Sequence, residues 1–180
     1  MTLWRVAGSK LDPIAPAHLE QEQRLEDWIA KDPSILGMDI ALIGRQVQTA
    51  YGGRIDLLAL DRDANCIVLE LKRGRTPREV VAQLLDYGAW VKDLGYNELD
   101  QIAQRWIQKS VATIFQEAFG DTIPEAVNAS HNLIVVASDL DDSSERIISY
   151  LSEEYGVSIN AVFFTFFREN SAELLGRAWL

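Results

Sequence analysis

A chain of 180 residues, 48% hydrophobic and 24% charged, is long enough to bury one sizeable core, and no linker divides it, so residues 1–180 read as a single domain. No apolar run is long enough to span a bilayer, the N-terminus lacks a basic-then-apolar leader, and the one cysteine, Cys66, excludes an internal disulfide framework; the expectation is a cytoplasmic protein with no membrane contact. A formal net charge of −10 opposes simple nucleic-acid binding, but Lys72, Arg73, Arg75 and Arg78 cluster in one stretch, while acids such as Asp139, Asp141, Asp142 and Glu145 gather elsewhere.

In chain order, Thr2 to Val6 reads as a short strand. Residues 18 to 31 read as a helix with Leu19, Leu25, Trp28 and Ile29 as its apolar stripe, ended by Asp32-Pro33. Ile40 to Gln48, Arg54 to Asp61 and Asn65 to Lys72 read as strands. Thr76-Pro77 opens a helix with Thr76 as N-cap, Pro77 at its first position and Glu79 three residues on, running to about Leu94. A further helical stretch covers roughly 97 to 119. Asn132 to Ala137 is a buried strand, Asp142 to Tyr155 an amphipathic helix, and Ser158 to Phe167 a strongly β-forming run. Leu174 to Leu180 reads as a final strand or helix, and the absence of a polar tail is consistent with a piece of a longer protein. This order predicts an α/β fold, a central mixed β-sheet flanked by helices.

The stretch from Gly53 to Arg73, GRIDLLALDRDANCIVLELKR, carries the chemistry. Asp56 interrupts the apolar run Ile55 to Leu60, and Glu70 and Lys72 flank Leu71 at the end of another. Charges in core strands are seldom buried unless paired or bound to a metal. Residues i and i+2 of a strand share a face, so Glu70 and Lys72 point the same way. The short connection Asp61 to Asn65 is rich in turn formers and implies a hairpin, with Asp56 opposite or diagonal to the Glu70/Lys72 pair. Two carboxylates and the Leu71 carbonyl make an oxygen site for a hard divalent cation such as Mg²⁺. Lys72 is then placed to orient a water or to stabilise negative charge on a phosphate. The plain alternative is a salt-bridged edge hairpin with no chemistry.

These residues resemble the PD-(D/E)xK nuclease superfamily. Asp56 and Glu70-Leu71-Lys72 match its core pattern, Glu26 its helical glutamate, and Gln83 to Tyr87 the Gln-x-x-x-Tyr helix of the RecB-like branch; Ile55 stands where the superfamily has its proline. The look is nearest to the NucS-like endonuclease domain, over roughly residues 18 to 95, with a weaker likeness through Val135 to Asp139. The resemblance implies a restriction-endonuclease-like fold and a Mg²⁺- or Mn²⁺-dependent DNA endonuclease acting in repair or defence. It assigns catalysis to Glu26, Asp56, Glu70 and Lys72, and the metal to Asp56, Glu70 and the Leu71 carbonyl.

Substrate contacts are expected from Gln83 and Tyr87, which share a helix face, and from Arg54, Arg75 and Arg78. Gln83 reads as contacting a substrate phosphate or bracing the site with Tyr87 in support, against the plain alternative of a polar spot on an amphipathic helix with Tyr87 half in the core; Arg54 reads as a DNA-backbone contact or, in preference, as a surface cap of its strand. Single-stranded or branched DNA is the expected partner, with homodimerisation open. A non-catalytic nuclease-fold module that binds nucleic acid or a protein is the alternative. His18 and His131 share no ligand spacing with each other or with Cys66.

Overall fold

The computed structural model describes residues 1–19, 22–76 and 78–180, with residues 73–76 described by their backbone. A six-stranded mixed sheet runs in chain order: β3 (Ala41–Gln48), β4 (Arg54–Leu60), β5 (Cys66–Thr76), β6 (His131–Leu140), β7 (Ile159–Glu169) and β8 (Ala172–Trp179). The first three strands form an antiparallel meander, β5, β6 and β7 are parallel, and β8 returns antiparallel on β7. Parallel neighbours need crossovers, and helices supply them. Between β5 and β6 lie α2 (Glu79–Val91), α3 (Tyr96–Ile107) and α4 (Val111–Phe119); between β6 and β7 lies α5 (Asp142–Tyr155).

Leu57 to Leu60 and Ile67 to Leu69 are buried without a break because both sheet faces are covered. One face packs Leu58, Val68 and Val135 against Val80 and Leu84 of α2, Phe115 of α4 and Ile148 of α5. The other packs Leu57, Leu69, Leu71 and Val136 against Leu25 and Ile29 of α1 (Glu22–Lys31). Each such fully buried side chain contributes about 1.5–3 kcal/mol. Cys66 is buried in the first of these two cores. Burial pushes its thiol up to about 12, with the Asp61 charge adding to the shift, so at neutral pH it is a small apolar residue and not a nucleophile.

Several boundaries differ from the sequence reading. The N-terminal strand, β1 (Leu3–Ala7), has a partner, β2 (Lys10–Ile14), joined by a turn in which Gly8 takes φ 61°. Residues 18 and 19 are not helical. The segment before α1 is drawn out along β7, where Pro16 bridges Phe167 and the Ala17 N–H donates to the Phe166 carbonyl at 2.8 Å. The stretch 97–119 is two helices, broken where Gln108 takes φ 58° and restarted by Ser110, whose hydroxyl caps the Thr113 N–H.

The largest correction concerns Thr76. It does not cap a helix, because β5 continues through it, pairing Arg75 with Asp139 and Thr76 with Leu140 of β6. A parallel ladder satisfies more of this backbone than a helix start would. Helix α2 begins at Glu79, after Arg78, which has helical dihedrals and provides no side-chain cap. Pro77 lies outside the described residues.

Candidate active site at the fork of the sheet

The β4–β5 ladder runs from Leu60↔Cys66 to Leu57↔Leu69 and stops. Beyond that point β3 still pairs with β4 through Val47↔Ile55 and Gln48↔Arg54, and β5 continues beside β6. The sheet therefore forks, with one prong made by β3 and β4 and the other by β5 and β6. Continuing the register one step sets Asp56 across the fork from Glu70. In place of a ladder carbonyl, Asp56 Oδ2 accepts the Leu71 N–H at 2.8 Å, so the carboxylate itself ties the prongs together.

Glu70 is 2% exposed. Its Oε1 accepts from Lys72 Nζ at 2.5 Å, while its Oε2 is buried and has no hydrogen-bond partner among the described residues. A buried carboxylate oxygen without a donor is costly. Burial and the Asp56 charge push the Glu70 carboxyl up to about 7, against the pull of Lys72. Burial acts to lower the Lys72 pKa, but the hydrogen bond to Glu70 and the fields of Glu70, Asp56 and Glu22 outweigh it, so that pKa is raised. Glu70 holds its proton more tightly than usual chiefly because it is buried, and Lys72 holds its own because acids surround it. Lys72 keeps 30% of its side chain exposed, so its ammonium lies at the mouth of the fork.

Asp56 is aimed by a chain of contacts that starts on α1. The Glu26 carboxylate is buried; its Oε1 accepts from Arg45 Nε at 2.6 Å and from Gln46 Nε2 at 3.0 Å. The same Gln46 nitrogen donates to Asp56 Oδ1 at 3.0 Å. Arg45 also holds Asp27 at 2.6 Å. Among the described residues Glu26 thus reaches Asp56 through Gln46 alone. Gln46 takes φ 52°, a left-handed conformation costing roughly 1–2 kcal/mol for a residue with a side chain. It lies close after the irregularity between Leu42 and Gly44, where β3 slips register against β4. Bulges recur where a strand must re-aim a side chain.

Gln83 and Tyr87 of α2 brace the other end of the prong. The Tyr87 hydroxyl donates to the Arg54 carbonyl at 2.9 Å, and accepts from the Arg54 N–H at 3.3 Å and from Gln83 Nε2 at 2.7 Å. A Cβ added to Gly53 would come within 2.6 Å of the Tyr87 ring, so the hairpin approaches that close only because residue 53 is glycine. The fixed backbone lies two residues before Asp56. The Arg54 side chain is exposed. Arg78 is exposed and faces Glu79 at 3.8 Å. The Arg75 side chain falls outside the described residues, but its backbone belongs to β5, so Lys72, Arg73 and Arg75 lie along a strand and, of the basic run, Arg78 alone stands at the start of α2.

The metal donors expected from the sequence are two carboxylates and a carbonyl. Among the described residues no group of three or more His, Cys, Asp or Glu is gathered so as to hold a metal ion by itself. Glu22, Arg45 and Gln46 were not singled out by the sequence. Glu22 lines a cavity of about 160 Å³ with Lys72 and His18. Arg45-Gln46, a polar pair between the apolar Ile43 and Val47, was the available signal.

Residues 21–102 match the family described as Endonuclease NucS C-terminal domain. The resemblance read from the motifs therefore holds over the stretch that contains Glu26, Asp56, Glu70, Lys72, Gln83 and Tyr87. Endonuclease NucS of Sulfolobus acidocaldarius is 28% identical over 95 residues, 53% of this chain and 38% of that protein. A repair endonuclease from Pyrococcus abyssi aligns over 81% of this chain and 48% of its own, with 21% identity and a TM-score of 0.46. The EndoMS–dsDNA2 complex aligns over 87% and 48%, with 20% identity and a TM-score of 0.48. The aligned stretch thus covers less than half the length of each of these relatives.

Proposed function

We propose that this chain is a DNA endonuclease domain that hydrolyses phosphodiesters with Mg²⁺ or Mn²⁺ held at the fork. The observation that carries the reading is Glu70: a buried carboxylate across from Asp56 with one oxygen on Lys72 and the other without a partner among the described residues. Asp56, Glu70 and the Leu71 carbonyl suit a hard cation, because all three donors are oxygens. When bound, that ion polarises a phosphate oxygen and makes water a better nucleophile.

The chain's own residues do the rest. Glu70 holds the Lys72 ammonium at the mouth, where its remaining N–H groups can orient an attacking water or receive charge developing on a phosphate oxygen. Arg45 fixes Glu26, Glu26 fixes Gln46, and Gln46 fixes Asp56. Gln83 and Tyr87 hold the prong on which Asp56 sits. The buried surroundings strengthen each of these interactions relative to water.

The test is a panel of labelled single-stranded, branched and duplex DNA and RNA, incubated with Mg²⁺ or Mn²⁺ beside Glu70→Ala and Lys72→Ala. Cleavage by the parent should vanish in both variants while their circular dichroism stays native. Equal cleavage by parent and variants would place the activity elsewhere.

A further inference from the structure

A cavity of about 500 Å³ lies between the edge strand β3 and helices α2 and α3, within the range of small-molecule sites. Arg45 and Gln46, the residues that hold Glu26 and Asp56, form one wall. Across from them stand Trp90, Trp106, Gln101 and Arg105. Both indoles are half-buried, so part of each ring faces the cavity. Among the described residues neither indole is engaged in a hydrogen bond or a ring stack, and Arg105 is exposed without an ion pair. Glu98, the acid lining the cavity, is committed to the Gly95 N–H at 3.1 Å.

We propose, resting on the nuclease reading, that this cavity receives an unstacked base of the strand cut at the fork. Flat apolar rings suit a base face, the amide of Gln101 suits its edge, and Arg105 suits a flanking phosphate. A free cation in a chain of net charge −10 marks a place for an anion. The shared wall makes the pocket contiguous with the residues that aim Asp56, so base and scissile phosphate belong to neighbouring positions of one strand. A base inside a duplex is not available to such a pocket without unstacking, which favours unpaired strands. The edge of β3 is a poor template for a strand from a second copy, because the register slip between Leu42 and Gly44 and the positive φ of Gln46 break its regularity.

The experiment is fluorescence anisotropy in Ca²⁺, which holds the strand without cleavage, using two labelled probes: a deoxyadenosine dodecamer and a dodecamer of abasic sites with the same phosphates. The parent should bind the first more tightly. At least one of Trp90→Ala and Trp106→Ala should lose about tenfold on the adenosine probe, equivalent to about 1.4 kcal/mol, with the abasic probe unchanged. Replacement by Phe should restore most of the loss. Replacement by Leu, which keeps apolar bulk without a ring, substitutes for an Ala variant that fails to fold. Arg105→Ala should weaken both probes alike and lower the log–log salt slope by about one. Tryptophan variants that bind both probes as the parent does overturn the pocket. Variants that bind DNA normally but abolish self-association in sedimentation assign the groove to a second copy instead. A parent that binds neither probe at low salt sinks the nuclease reading itself, and the pocket with it.

Discussion

Glu70→Gln in metal-free buffer isolates the charge stored at the fork. The side chain is 2% exposed, and its carboxyl is pushed from 4.5 to about 7. Below pH 4.5 the native and unfolded chains both hold this proton. Between pH 4.5 and 7 the unfolded chain has released it and the native chain has not, so stability falls as pH rises; above 7 the full penalty remains. The difference of about 2.5 pK units corresponds to about 3.4 kcal/mol at about 1.36 kcal/mol per unit. Glutamine removes that ionisation but leaves Lys72 with a weaker acceptor and puts an unpartnered NH₂ in place of Oε2, which together cost about 1–2 kcal/mol. The net expectation at pH 8 is a variant about 1–2 kcal/mol more stable than the parent, or roughly 2–8 °C in Tm for a chain of this size. Thermal unfolding in EDTA at pH 5, 6, 7 and 8 measures it. The difference between variant and parent should be near zero or negative at pH 5 and grow toward pH 8. Adding Mg²⁺ at pH 8 should raise the parent's Tm and close the gap, because a bound cation offsets the same charge. A difference that does not change with pH would refute the assignment of buried negative charge to Glu70.

Tyr87→Phe removes only the hydroxyl that clamps both backbone groups of Arg54 and accepts from Gln83. It should cost about 1–3 kcal/mol in urea unfolding and slow cleavage, with the loss in kcat because the clamp acts on Asp56 and not on substrate. Gln46→Gly should be more stable than Gln46→Ala by about 1 kcal/mol, since glycine accepts φ 52° without strain, and neither should restore the bridge from Glu26 to Asp56 in a cleavage assay. Replacing Arg75 and Arg78 by Ala should flatten the log–log salt dependence of DNA binding by about one to two units; an unchanged slope would route the DNA away from the end of β5.

The sequence alone determined the mixed α/β class, most of the succession of strands and helices, and the placing of Glu70 and Lys72 on one strand. Unbroken apolar runs such as Ile67 to Leu69 can be satisfied only by a strand covered on both faces, and a period of two puts Glu70 and Lys72 on one side. Glu26 and the spacing of Gln83 and Tyr87 were equally legible, as was the resemblance they carry. What each of them touches was not. That Glu26 reaches Asp56 through Gln46 depends on a bulge in β3 and a left-handed residue, neither of which leaves a periodic trace. That Tyr87 clamps Arg54 depends on how α2 lies over the hairpin. The extent of β5 was misread because Thr76-Pro77 is a good local start for a helix. The ladder with β6, supplied by residues more than sixty positions away, satisfies that backbone more fully than a helix start could. Local propensity is a matter of fractions of a kcal/mol per residue, and long-range pairing and burial exceed it wherever the two compete.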